Sequence, residues 1–104
     1  MGKTKKIIKV ADFTDAPFNN IDGKKFRQDY IMPYLDKYDE LLIDLDDTYG
    51  FPITFIREVF GVMVTKVGLE LTLKAIQFKS EDDPKLISRI RGFMLDQFLE
   101  DNNI

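Results

Sequence analysis

The chain contains no cysteine and no histidine. Without cysteine there are no disulfides, no thiolate metal ligands and no sulfur nucleophile. Without histidine the commonest general base is missing, and with it every Ser-His-Asp arrangement and the usual zinc sites. Any chemistry would run on carboxylates, lysine, tyrosine or hydroxyl groups. No apolar run approaches the roughly 18 residues that span a bilayer. Nor is there an overall basic field to attract nucleic acid, since the formal net charge is −3. Repeats, low-complexity tracts and linkers are absent too. The basic start Met1-Gly2-Lys3-Thr4-Lys5-Lys6 is followed only by Ile7-Ile8, too short for the apolar part of a signal peptide. Lys6 stands where myristoylation of Gly2 requires Ser or Thr. The expected compartment is the cytoplasm.

What remains is an ordinary globular balance. Of the 104 residues, 44% are apolar and 32% charged, which suits one domain, with ends expected to fray at about residues 1–4 and 101–104. Lys6 to Val10 reads as a first strand. Residues 11–22 read as an irregular connection with a short strand around Phe13. A helix is expected from near Gly23, with Asp22 as its cap. Phe26, Tyr30, Ile31, Tyr34, Leu35 and Tyr38 recur at helical spacing. Pro33 lies inside that pattern, which predicts a kink or break and disfavours α geometry at Met32.

Leu41 to Leu45 is a continuous apolar run, which fits a strand covered on both faces. A second helix is predicted from Phe55 to about Val67, with Thr54 as its cap. Its apolar set, which includes Val62 and Val64, is too large for one face. Such a helix is either buried on two sides or lends an apolar side to another chain. Gly61 inside it costs about 1 kcal/mol of helix propensity, and close backbone packing would account for it. Gly68 ends the helix. Leu71 to Phe78 reads as a third strand, and Asp83-Pro84 as the cap and first turn of a last helix. Leu86, Ile87, Ile90, Phe93, Met94 and Phe98 form its stripe. The alternation implies an α/β fold, a small mostly parallel sheet of three to four strands with three helices.

The segment Asp44-x-Asp46-x-Thr48, after apolar residues, resembles the first motif of haloacid-dehalogenase-type phosphatases. That resemblance implies Asp44 as nucleophile, Asp46 handling protons and magnesium offsetting the negative charge. Glu81-Asp82-Asp83 could stand as the later acidic motif. However, only one strand separates the two acidic clusters, and that fold needs more. The alternative assigns Asp44 and Asp46 to a strand end and Asp47 to a turn.

A longer resemblance is to the STAS-like family, small bacterial domains related to anti-sigma-factor antagonists. It rests on Asp22-Gly23-Lys24-Lys25-Phe26-Arg27, Ile31-Met32-Pro33-Tyr34-Leu35, Leu42-Ile43-Asp44-Leu45-Asp46, Tyr49-Gly50, Thr54 to Gly61, and Leu73 to Pro84. These span about residues 22–95 in consistent order. The resemblance implies a non-enzymatic, cofactor-free regulatory module that binds a partner protein, such as a kinase-type ATPase of the GHKL class. In the antagonists a serine at the start of the second helix is phosphorylated, and a phosphate there meets free N–H groups and a positive dipole end. Here Ile53 stands at that serine and Pro52 at its acidic neighbour. Thr54 is the remaining hydroxyl and the candidate phosphorylation site. The expected contact surface is Asp47, Thr48, Tyr49, Gly50, Thr54, Arg57 and Glu58. Self-association through the second helix is a further expectation. Metal and membrane binding are not expected, and Lys24, Lys25 and Arg27 read as a solvated basic face rather than a nucleic-acid site.

Overall fold

A computed structural model describes residues 4–14 and 20–103 of the chain. Residues 15–19 of the irregular connection expected over 11–22, and the extreme ends, 1–3 and 104, lie outside the described residues. The elements run β1 (Lys5–Lys9), α1 (Val10–Phe13), α2 (Asn20–Phe26), a first π-turn (Arg27–Ile31), α3 (Met32–Leu35), β2 (Glu40–Asp44), α4 (Ile53–Ile56), a second π-turn (Arg57–Gly61), α5 (Val62–Val67), α6 (Leu69–Ala75), β3 (Ile76–Lys79) and α7 (Lys85–Asp101). The three strands form one parallel sheet in the order β1-β2-β3. Parallel neighbours need crossovers, and the helical segments supply them.

The helices cover one face of this sheet. Ile8, Leu41, Ile43 and Ile76 point into a single apolar core shared with Phe26, Ile31, Phe55, Phe60, Met63, Ile90 and Met94. On the opposite face Ile7 pairs in register with Leu42. Neither belongs to that core, and Ile7 is 61% exposed. The continuous apolar run at 41–45 therefore does not mean burial on both faces. It fills one face, and its alternate residue Leu42 lies half-buried on the open one.

Several local expectations give way to packing. The stretch around Phe13 is a helical turn, not a strand. That turn buries Val10 fully and sets Phe13 against Phe26 and Tyr30. The next helix begins at Asn20, so Asp22 lies in its first turn and not at its cap. Pro33 is accommodated in the first turn of α3, and Met32 keeps α geometry (φ −57°, ψ −39°). The distortion falls one residue earlier, at Ile31 (φ −107°, ψ −60°). The π-turn upstream widens the coil so that the proline ring clears the preceding turn.

The largest correction concerns Leu71 to Phe78. Only Ile76–Lys79 is strand, and Leu69–Ala75 is helix. Gly68, at φ +92°, turns the chain between α5 and α6. The following Leu, Glu, Lys and Ala are strong helix formers. Thr72 is buried there with its hydroxyl donating to the Gly68 carbonyl at 2.7 Å.

The second long helical run is buried on two sides. Val59, Phe60, Met63 and Val64 are all buried, with α2 against one flank and α7 against another. Gly61 faces Gln97 of α7, whose Oε1 would lie 3.4 Å from an added Cβ, an ordinary contact with a flexible side chain, so close backbone packing does not account for this glycine. A second glycine, Gly23 of α2, does sit tightly. A Cβ there would fall 2.9 Å from Glu58 Cβ and 3.1 Å from the Phe55 carbonyl oxygen.

Candidate interaction surface

The carboxyl ends of the three parallel strands meet at one end of the molecule, where the chain builds a polar lock. Asp44 closes β2 and accepts the Asp46 N–H at 3.0 Å, a short-range aspartate turn. Asp46 then reaches across to the loop after β3. Its Oδ1 accepts the Asp82 N–H at 2.9 Å and its Oδ2 the Glu81 N–H at 3.1 Å. Lys79, paired in register with Asp44, places its ammonium 3.4 Å from Asp46 and 3.6 Å from Asp44. Asp47 returns the link, donating its N–H to the Asp82 carboxylate at 3.1 Å.

The electrostatics follow from these contacts. The backbone N–H of Asp82 holds the Asp46 carboxyl below its ordinary pKa. Burial works against this, and the Glu81 N–H and Lys79 reinforce it. For the Lys79 ammonium, partial desolvation pulls downward. The charge of Asp44, the hydrogen bond to Asp46 and the charges of Glu81 and Asp46 outweigh it, and the pKa is raised.

Above this lock the chain turns outward. Asp47 adopts φ +66° and Gly50 φ +140°. Asp47 carries an exposed ion pair with Lys9 at 3.5 Å. Thr48 folds its hydroxyl back onto the Leu45 carbonyl at 3.1 Å. Phe51 is buried against Phe55 and anchors the far side of the loop. Between the anchors Tyr49 is 88% exposed, and just past them Ile53, the first residue of α4, is 50% exposed. The helix cap is Pro52, in extended geometry, whose carbonyl accepts the Ile56 N–H at 3.1 Å. Thr54 is thus inside the helix and exposed, not its cap. The corresponding expectation at α7 also shifts. Pro84 holds the cap position, and Asp83 contributes its carbonyl, which accepts from Leu86 N–H and the Ser80 hydroxyl.

The expected contact residues are therefore only partly brought together. Asp47, Tyr49, Gly50 and Thr54 are exposed around the loop and the helix start. Arg57 lies further along, its guanidinium 5.6 Å from the Phe93 ring of α7. Glu58 turns the other way: Arg27 donates to its carbonyl oxygen and approaches its carboxylate at 3.3 Å. Three residues lie outside the expected contact set. Ile53 is in helical phase with Ile56 and Phe60, so periodicity would have buried it. Lys79 needs the register of β3 against β2. Arg27 reads as surface charge in sequence, yet it is only 4% exposed.

Among the described residues, no group of three or more acidic side chains is arranged to hold a metal ion. The recess between the two loops, lined by Leu45, Thr48, Phe51, Ser80 and Arg89, has about 70 Å³, well below the roughly 300 Å³ of a small-molecule site.

A parallel sheet with helices stacked on one face, its strand ends closed by a pinned loop, defines a small α/β domain of the βαβαβ kind. The chain belongs to the family described as STAS-like domain of unknown function (DUF4325), whose model matches residues 22–86. The matched segment runs from α2 through both later strands to the start of α7. No curated protein and no solved structure matches the chain.

Proposed function

We propose that the chain is a non-enzymatic regulatory module that binds a partner protein through the 47–54 loop and helix start, in the manner of anti-sigma-factor antagonists. One observation carries this reading: a tyrosine left almost wholly in solvent, with a half-exposed isoleucine four residues further along the chain, on a loop whose base is pinned by Asp46 and Phe51. Amphipathic aromatic anchors on rigidly based loops are what protein interfaces use. The partner class that fits the family resemblance is a GHKL-type ATPase or kinase, in the cytoplasm. Among the described residues no helix is long and apolar enough to cross a membrane.

The test is affinity capture followed by a binding titration with the purified partner. Tyr49→Ala and Ile53→Ser are expected to weaken binding at least about tenfold, or about 1.4 kcal/mol, while circular dichroism stays unchanged. Undiminished binding by both variants would remove this surface from the proposal. If the partner is a kinase, Thr54 supplies an exposed hydroxyl in the first helical turn. Incubation with ATP would then add about 80 Da, one phosphoryl group, to the wild type and not to Thr54→Ala.

A second reading draws on Lys79, which stands beside Asp44 and Asp46 where a phosphoryl-transfer enzyme would want a cation. It requires magnesium-dependent hydrolysis of a phosphate ester that Asp44→Asn abolishes.

A further inference from the structure

We propose that the outer edge of β1, together with the tyrosine-walled groove beside it, docks an acidic extended segment of another protein as a fourth strand of the sheet. This surface is separate from the 47–54 loop.

The edge is chemically open. The Glu40 N–H donates to the Thr4 carbonyl at 3.1 Å. In a parallel ladder that contact assigns Thr4, Lys6 and Ile8 to the β2 side and turns the backbone groups of Lys5 and Ile7 outward. Among the described residues no strand pairs with that side. Next to it runs a groove of about 160 Å³, lined by Lys6, Ile8, Lys9, Asp12, Tyr30 and Tyr34. Tyr30 and Tyr34 are only partly covered, although both pack against the core. Unpaired main-chain groups give affinity to an added strand, and a groove for alternate side chains gives it selectivity.

Charge decides the occupant. The protein carries a net charge of −3, but this edge is locally basic. Lys5, Lys6 and Lys9 lie on β1, although Lys9 is already paired with Asp47 at 3.5 Å and Asp39 is bonded to Thr4 at the start of the edge. Lys6 and Lys37 both stand over the Tyr34 ring, at 4.8 and 6.0 Å. Asp12 is the acidic group among the groove's lining residues. A second copy of β1 would set lysines against lysines, which disfavours self-pairing. A strand with glutamate or aspartate at alternate positions meets the opposite sign.

The test uses a fluorescent peptide of alternating Glu and Val residues, titrated by anisotropy. It should bind the wild type, and the same peptide with its central Val replaced by Pro should bind about tenfold more weakly or worse. Ile7→Pro removes the outward donor without touching the β2 ladder. Its circular dichroism should match wild type and its peptide affinity should fall about tenfold. Lys5→Glu should weaken binding, and hydrogen exchange at Ile7 should slow when peptide is present. Tyr49→Ala should bind the peptide like wild type, so this result does not depend on the loop surface. Absence of peptide binding would overturn the proposal. So would equal binding of the proline peptide, undiminished binding by Ile7→Pro, or a dimer through this edge in sedimentation.

Discussion

Asp46 offers both carboxylate oxygens to backbone N–H groups of the loop after β3, with Lys79 alongside. An asparagine there would turn an amide donor toward one of those N–H groups. Asp46→Asn should therefore lower stability by about 1–3 kcal/mol at pH 7 in urea unfolding. The carboxyl's pKa is depressed in the folded protein, so the sign with pH is set. The Asp46 contribution is complete above the unfolded carboxylate value of about 3.9 and is lost as pH falls through the lower native value. Repeating the urea titration below about pH 4 should show a smaller wild-type-to-variant gap than at neutrality. Gly23 offers a steric counterpart. Gly23→Ala would press a methyl against Glu58 Cβ and the Phe55 carbonyl. It should cost about 1–3 kcal/mol despite alanine's better helix propensity.

At the scale of elements, the two π-turns show packing overruling local preference, whereas α6 follows the helix formers after Gly68. Arg27, in the first π-turn, donates to the Glu58 carbonyl within the second and lies close to the Glu58 carboxylate. Its own Nε is buried without a hydrogen-bond partner. Arg27→Met would leave the carbonyl and carboxylate of Glu58 without their donor and should lower stability by about 1–3 kcal/mol, read from the urea midpoint. The α5–α6 junction depends on Gly68 at φ +92°. No atom crowds that position, so Gly68→Ala should cost about 1–3 kcal/mol through backbone strain alone. A loss of helical signal beyond that cost would mean α6 depends on the turn for its existence.

For the whole molecule, one core joins strands and helices from both crossovers and α7. Unfolding should be a single cooperative transition, with far-ultraviolet dichroism and tyrosine fluorescence coinciding in urea. Ile90 is fully buried on α7. Ile90→Ala should shift that one transition, at a cost of about 2–5 kcal/mol, and should not produce a second. Thr4 and Asp101 lie in the stretches expected to fray, yet each carries side-chain hydrogen bonds. Thr4 meets Asp39, and Asp101 accepts from Thr65 at 2.7 Å.

Consecutive residues were enough to reveal the βαβαβ alternation, the stripe of α7, the turn at Asp47–Gly50 and the family. These rest on periodicity and turn chemistry, which act over a few neighbouring positions. Helix formers after the Gly68 turn favour a helix over 69–75, against an apolar alternation at Leu71, Leu73 and Ala75 of which only Ala75 is buried. Tertiary structure decided where that helix stops, because Ile76–Lys79 pair with β2. It also decided which face of the sheet stays open, where Lys79 meets Asp44, and that Arg27 is interior. Asp46 finds its partners 35 and 36 residues away, and such pairings exist only once the strands have chosen their neighbours and register.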